Sequence, residues 1–130
     1  MGAATAPSPG RDRIGRLLMA IAAVGAVGAF ATGVANMQAA APDRLWVEAW
    51  RTFGFLVFAG MFALLALFPR SARGLWELSF AHKAGMVVFS LFAGDVAEAR
   101  FAGRVDILLV AMIAAAWWLC QGWKSWSRSG

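Results

Sequence analysis

Lys83 and His82 stand side by side inside LWELSFAHKAGMVVFSLF, the apolar stretch from Leu75 to Phe92. An ammonium can pair with a carboxylate or hold an anionic ligand, and an imidazole can carry a proton. In hydrocarbon an ionised side chain at mid-helix costs about 3 kcal/mol on insertion scales, so such a pair demands a partner. On a helical wheel Ser79, His82, Lys83, Met86 and Ser90 share an arc of about 100°. Glu77 lies on the opposite side with Ala81, Ala84 and Val88. The pairs Ser79–Lys83 and His82–Met86 are four residues apart, so the polar stripe persists over successive turns. Counting about 1.5 Å per residue from Leu75 places Lys83 roughly 12 Å along the helix.

Candidate partners for Lys83 are Asp106 and Glu48, both near the starts of other apolar segments. Thr32 and Asn36, from the first apolar run, reach the same level. These residues suggest a polar pocket in one half of a bundle, with Lys83, His82, Ser79, Ser90, Asp106 and Glu48 as candidate ligand- or ion-binding residues. The structural alternative is a buried Lys83–Asp106 pair that sets helix register without adding net stability. A third reading is a contact between Lys83 and an acid on another subunit. Glu77 has a plainer role at a helix start, where it complements the helix dipole and can meet Arg73.

No catalytic set is legible. The chain lacks HExxH, a Gly-rich phosphate loop, a Ser-His-acid spacing and paired carboxylates within a span. One cysteine, Cys120, and one histidine give no metal-ligand pattern, and Cys120 reads as a small packing residue. A haem held by His82 and Met86 would need a second axial ligand from elsewhere, so no cofactor is expected.

The elements that must position these residues follow from composition. Of the 130 residues 61% are hydrophobic and only 15% are charged. Soluble domains have about 45–50% apolar and about 25% charged residues. The excess falls into four blocks, which predicts an all-α integral membrane four-helix bundle. The expected spans are 14–35, 46–68, 75–92 and 105–123, forming one domain over 14–123. Residues 1–13 read as a disordered tail and 124–130 as a basic one. The net charge of +5 sits at block ends, as expected of orientation signals and lipid contacts, and excludes a distributed nucleic-acid surface.

Block by block, the first run, Ile14 to Val34, is longer than the roughly 7–15 residues of a signal-peptide core. An uncleaved helix is favoured over cleavage near Ala39 to Ala41. Gly25, Ala29 and Gly33 recur every four residues, a groove for another helix of the bundle or for a second copy. Asp43 is expected to cap the second helix, which carries Trp46, Trp50 and Phe53 at its entry and an Arg51–Glu48 pair. Six residues, 69–74, link the second and third blocks, which predicts a tight antiparallel hairpin. Asp95 with Glu98 resembles a capping signature, so the stretch 96–104 reads as either a short interfacial helix or a loop. Trp117, Trp118, Trp123 and Trp126 form an aromatic belt at the end of the fourth span.

Lys and Arg are more numerous at the two tails and in the link around Arg70 and Arg73 than at the opposite end, which predicts cytoplasmic termini. The Ala- and Arg-rich usage suggests a bacterial inner-membrane protein. In topology and length this layout resembles the DoxX-like group of small bacterial membrane proteins, with no motif residue carrying the likeness. The expected function is that of a non-enzymatic accessory or interaction subunit of a membrane complex. The alternatives are a small transporter or ligand-binding protein using the third-helix stripe, and a membrane enzyme acting on a lipid or quinone-like substrate.

Overall fold

The computed structural model describes residues 5–127. Four helices follow one another: α1 Pro9–Ala39, α2 Leu45–Leu67, α3 Leu75–Phe92 and α4 Ala97–Leu119, with a short 3-10 turn at Gly122–Trp126. Three of them, α1, α2 and α4, are long and apolar enough to cross a bilayer; α3 is 18 residues long and carries the polar stripe.

Helix ends account for the differences from the expected boundaries. Ser8 accepts a hydrogen bond from the Arg11 amide and Pro9 occupies the first turn, so α1 starts at Pro9 and takes in residues expected in the tail. Asp43 does not cap α2: it lies in the turn before it, and Arg44 occupies the cap position without a side-chain bond. Asp95 does not cap α4 either, because its carboxylate is held by Arg100 at 2.6 Å. The stretch 96–104, expected as either a short interfacial helix or a loop, forms the first turns of an α4 that begins at Ala97. Gly74, at φ 84°, supplies the left-handed residue that turns the chain into α3.

The expected hairpin of α2 and α3 is not the tight pair. The closest packing is α1 with α2 and α3 with α4, then α1 with α4, whereas α2 and α3 touch sparsely despite their short link. Small residues explain this. Gly33 lets Thr52 of α2 sit against the α1 backbone, and Gly103 does the same for Ser90 between α3 and α4. Between α2 and α3, at the level of Lys83, the facing residue is Phe58, whose ring keeps the two backbones apart.

The interior divides by depth. Met19, Ala22, Phe62, Leu65, Trp76, Ile113, Ala116 and Cys120 form the apolar core at the end where α1 begins and α4 finishes. Buried Glu48, Thr52, Lys83 and Asp106 lie further toward the opposite end. The expected groove on α1 is used in part: Gly33 is buried, whereas Gly25 is exposed with nothing close to where its Cβ would be.

A polar clasp ties the apolar end together. Asp12 of α1 accepts from Arg16 Nε at 2.7 Å and from Arg70 Nη1 at 2.6 Å. Arg16 also donates to the Leu67 carbonyl at 2.8 Å, and Arg70 to the Cys120 carbonyl at 2.8 Å. These are the unpaired carbonyls at the ends of α2 and α4, where a cation also complements the helix dipole. Asp12 precedes the apolar run of α1. Burial pushes its carboxyl pKa up, but the Arg70 and Arg16 hydrogen bonds and charges outweigh it and hold the group below the ordinary value.

Two outcomes follow. Asp12→Asn should lower stability by about 1.5–3 kcal/mol in a detergent unfolding titration, the range for hydrogen bonds to charged groups. Because the folded pKa is depressed, this contribution is full above the ordinary carboxyl range and fades as pH falls through the folded value. Wild type and variant should therefore converge in acid. Separately, Gly33→Ala should cost about 1–3 kcal/mol by overpacking against Thr52, while Gly25→Ala leaves the melting temperature unchanged or raised.

Candidate functional site

Lys83 reaches the centre of the bundle from the middle of α3. Its Nζ lies 3.3 Å from Asp106 Oδ1 on α4, and each side chain retains only about a tenth of its exposure (10% and 11%). On the α2 side the ammonium sits 4.2 Å from the centroid of the Phe58 ring, a cation–π contact. The charge thus has a carboxylate on one side and an aromatic face on the other. Isolated burial of either ion would cost several kcal/mol, which the pairing offsets.

The remaining stripe residues part company. Ser79, one turn before Lys83, is fully buried, and its Oγ has no hydrogen-bond partner among the described residues. Ser90 is half-buried against Gly103 and bonds back to the Val87 carbonyl at 2.7 Å. Ser79, Lys83 and Ser90 therefore form an inward row toward α4. His82 and Met86 fall on the outer edge of the same arc and are exposed. The His82 ring leans on Phe58, with centroids 4.7 Å apart, and makes no hydrogen bond among the described residues.

Glu48 does not reach Lys83. It is buried near the start of α2, where Arg44 at 3.3 Å and Arg51 at 3.8 Å approach one carboxylate oxygen; the other oxygen is unpartnered. Arg51 continues the chain of charges to Glu98 on α4. The polar half thus contains two clusters, Lys83–Asp106 in the interior and Glu48–Arg51–Glu98 nearer the rim. Thr32 bonds to the Gly28 carbonyl of its own helix and is exposed, as is Asn36, so neither joins the Lys83 cluster.

At the opposite end Glu77 meets Trp126 rather than Arg73: Trp126 Nε1 donates to its carboxylate at 2.8 Å, while Arg73 lies over the Trp126 ring. Trp76 is buried and donates to the Pro69 carbonyl at 2.8 Å. Gly122 lies so close to Trp76 and Trp117 that a Cβ there would collide with both. Nearby, between α3 and α4, an apolar groove of about 350 Å³ is lined by Trp76, Glu77, Phe80, Ile113, Ala114 and Trp117. A second, flatter one of about 280 Å³ runs along Leu17, Ala20, Ile21 and Val24 of α1. Neither touches Lys83, Asp106 or His82. Among the described residues no three His, Cys, Asp or Glu side chains cluster as metal ligands. Cys120 is fully buried and its Sγ faces the Asp12 carbonyl at 3.6 Å.

Sequence reasoning missed Phe58, the aromatic wall of the Lys83 site, because nothing in an apolar run distinguishes one Phe from the next. It also missed the Asp12 clasp. The Asp12–Arg16 half was legible as an i,i+4 pair, but the Arg70 half spans 58 residues. No family model, curated protein or solved structure matches the chain. None of these comparisons supports the likeness to the DoxX-like group.

Lys83→Met should destabilise the protein by about 3–5 kcal/mol, because Asp106 is left buried and uncompensated. Lys83→Met combined with Asp106→Leu should recover most of that loss. Equal instability of the single and double variants in reversible detergent unfolding would show that the pair is not the source.

Proposed function

We propose that this chain is a small membrane protein with all four helices in the bilayer, acting as a non-enzymatic interaction subunit of a membrane assembly. The observation that carries this reading is the internal closure of Lys83. Its ammonium is enclosed by Asp106 and Phe58, and both grooves lie elsewhere. An acid, base or nucleophile needs access to a substrate atom at about 3 Å, and the Lys83–Asp106 pair is turned to its own bundle. Such a pair specifies which faces of α3 and α4 meet. With the ion pair closed, α3 satisfies the rule that intramembrane charges face the bundle interior, so 18 residues with one Lys suffice to span.

The excess of Lys and Arg at the end where α1 starts and α4 finishes supports cytoplasmic termini. The absence of long connections supports a partner reached through the membrane rather than through water. Extraction of native membranes in mild detergent tests the reading. The chain should elute with an assembly larger than its own 13.9 kDa plus micelle; a clean, stable monomer from native membranes would overturn it.

One observation favours a second reading, a small-ligand or ion binder in the polar half. Among the described residues Ser79 Oγ and Glu48 Oε2 are buried acceptors without partners, and unsatisfied buried groups of this kind call for an explanation. Because Lys83→Met alone should be unstable, the Lys83→Met, Asp106→Leu double variant separates the two: a double variant that folds and keeps its assembly but loses uptake or binding of a solute supports the second reading.

A further inference from the structure

Along the outer side of α3 the exposed residues Leu78, His82, Gly85, Phe89 and Phe92 follow one another at spacings of four, three, four and three. Leu78, Phe89 and Phe92 keep 66%, 67% and 82% of their exposure. The five fall within an arc of about 80° on the helix. That is the seam of a helix pair, with large side chains as knobs and Gly85 as the gap between them. One member is polar. In hydrocarbon an imidazole whose N–H and ring nitrogen are unpaired is costly, and His82 has no hydrogen-bond partner among the described residues. His82 stands at the edge of this face nearest α2, with one side of its ring on Phe58; Lys83, about 100° round the helix, is already neutralised by Asp106 inside the bundle, so the seam itself carries no charge to repel a like surface.

The geometry points to a second copy of this chain as the occupant, with α3 packed on α3 and His82 hydrogen-bonded to His82 of the second copy. The inference rests on the reading of the chain as an interaction subunit with α3 in the membrane. Copies inserted by the same rule share one orientation. A twofold axis relating them then runs along the membrane normal, which brings the two α3 seams together parallel and in register. Every residue of such a seam faces its own twin. His82 is suited to this, because a neutral imidazole has one N–H donor and one nitrogen acceptor and so complements itself. A Lys or an Asp at the same position would meet its own charge. Gly85, less than one turn on, has nothing within 4 Å of where a Cβ would be, so the two backbones can close at the level where the imidazoles must touch. A single polar residue in an otherwise apolar seam is also the usual device for setting register.

Disulfide trapping in native membranes tests the pairing, in a Cys120→Ala background that removes the chain's one cysteine. Phe89→Cys and Gly85→Cys should each give a covalent homodimer on mild oxidation, whereas Val24→Cys, on the exposed side of α1, should not. Adding His82→Leu to Phe89→Cys should lower the dimer yield about three- to tenfold, the size expected for losing an interhelical hydrogen bond in lipid. His82→Asn, whose amide also donates and accepts, should keep it. Unchanged thermal unfolding of the detergent-solubilised His82 variants confirms that the bundle itself is intact. Trapping from Val24→Cys but not from α3, a yield indifferent to His82→Leu, or trapping of α3 to a different protein would each overturn the inference. An assembly that survives detergent sizing without α3–α3 trapping removes the inference alone; a detergent monomer with no trapping at any position removes the interaction-subunit reading as well.

Discussion

An ammonium ion in an apolar interior must be met by a counter-charge, and that requirement reaches from Lys83 into every neighbouring helix. Asp106 meets it from α4 and the ring of Phe58 covers it from α2. Successive residues on a helix are separated by about 100°, so turning α3 by one position would carry the charge out of its enclosure. The same rotation would withdraw Trp76 and Ser79, buried on the same row, from the core. The azimuth of α3 is thus determined twice, by an ion pair and by packing, and the two agree. Replacing such a pair with apolar residues is often neutral or stabilising; its value lies in the arrangements it forbids.

Around that constraint the bundle uses different physics at its two ends. At the end where α1 begins, large apolar side chains interlock, and the clasp of Asp12, Arg16 and Arg70 satisfies the carbonyls that finish α2 and α4. At the other end small residues let helices approach: Gly33 under Thr52, and Gly103 under Ser90. Buried Glu48 is there met by arginines from neighbouring turns. Close approach through small residues and interhelical polar contacts are the usual means of association in lipid, where the hydrophobic effect between helices is absent. The sparse contact of α2 with α3 is the consequence of placing Phe58, rather than a glycine, opposite the charge.

This arrangement separates the two members of the His82–Lys83 pair. Adjacent in sequence, they leave the helix at different azimuths, one into the bundle and one to its outer face. The inward residue is fully engaged by its own chain. The outward one rests its ring on Phe58 and makes no hydrogen bond among the described residues, at the edge of a face of α3 that is otherwise apolar.

Periodicity and composition by themselves determined four helices, the polar row on α3 and the short list of acids for Lys83, because these depend only on local spacing and on the cost of charge in an apolar setting. Asp106 and Glu48 were equally good partners on paper. Tertiary packing decided between them, because Glu48 was taken by Arg44 and Arg51 from its own helix, an interaction whose priority over Lys83 depends on distance and not on charge. The stripe itself divided for a similar reason: an arc of about 100° is wider than the face one neighbouring helix can cover, so Ser79, Lys83 and Ser90 turned inward while His82 and Met86 stayed outside. Likewise Gly25, Ala29 and Gly33 announced a groove, but only the fold made Gly33 the point of contact with α2. Spacing along a chain states which residues share a face; which face is covered, and by what, is a property of the assembled helices.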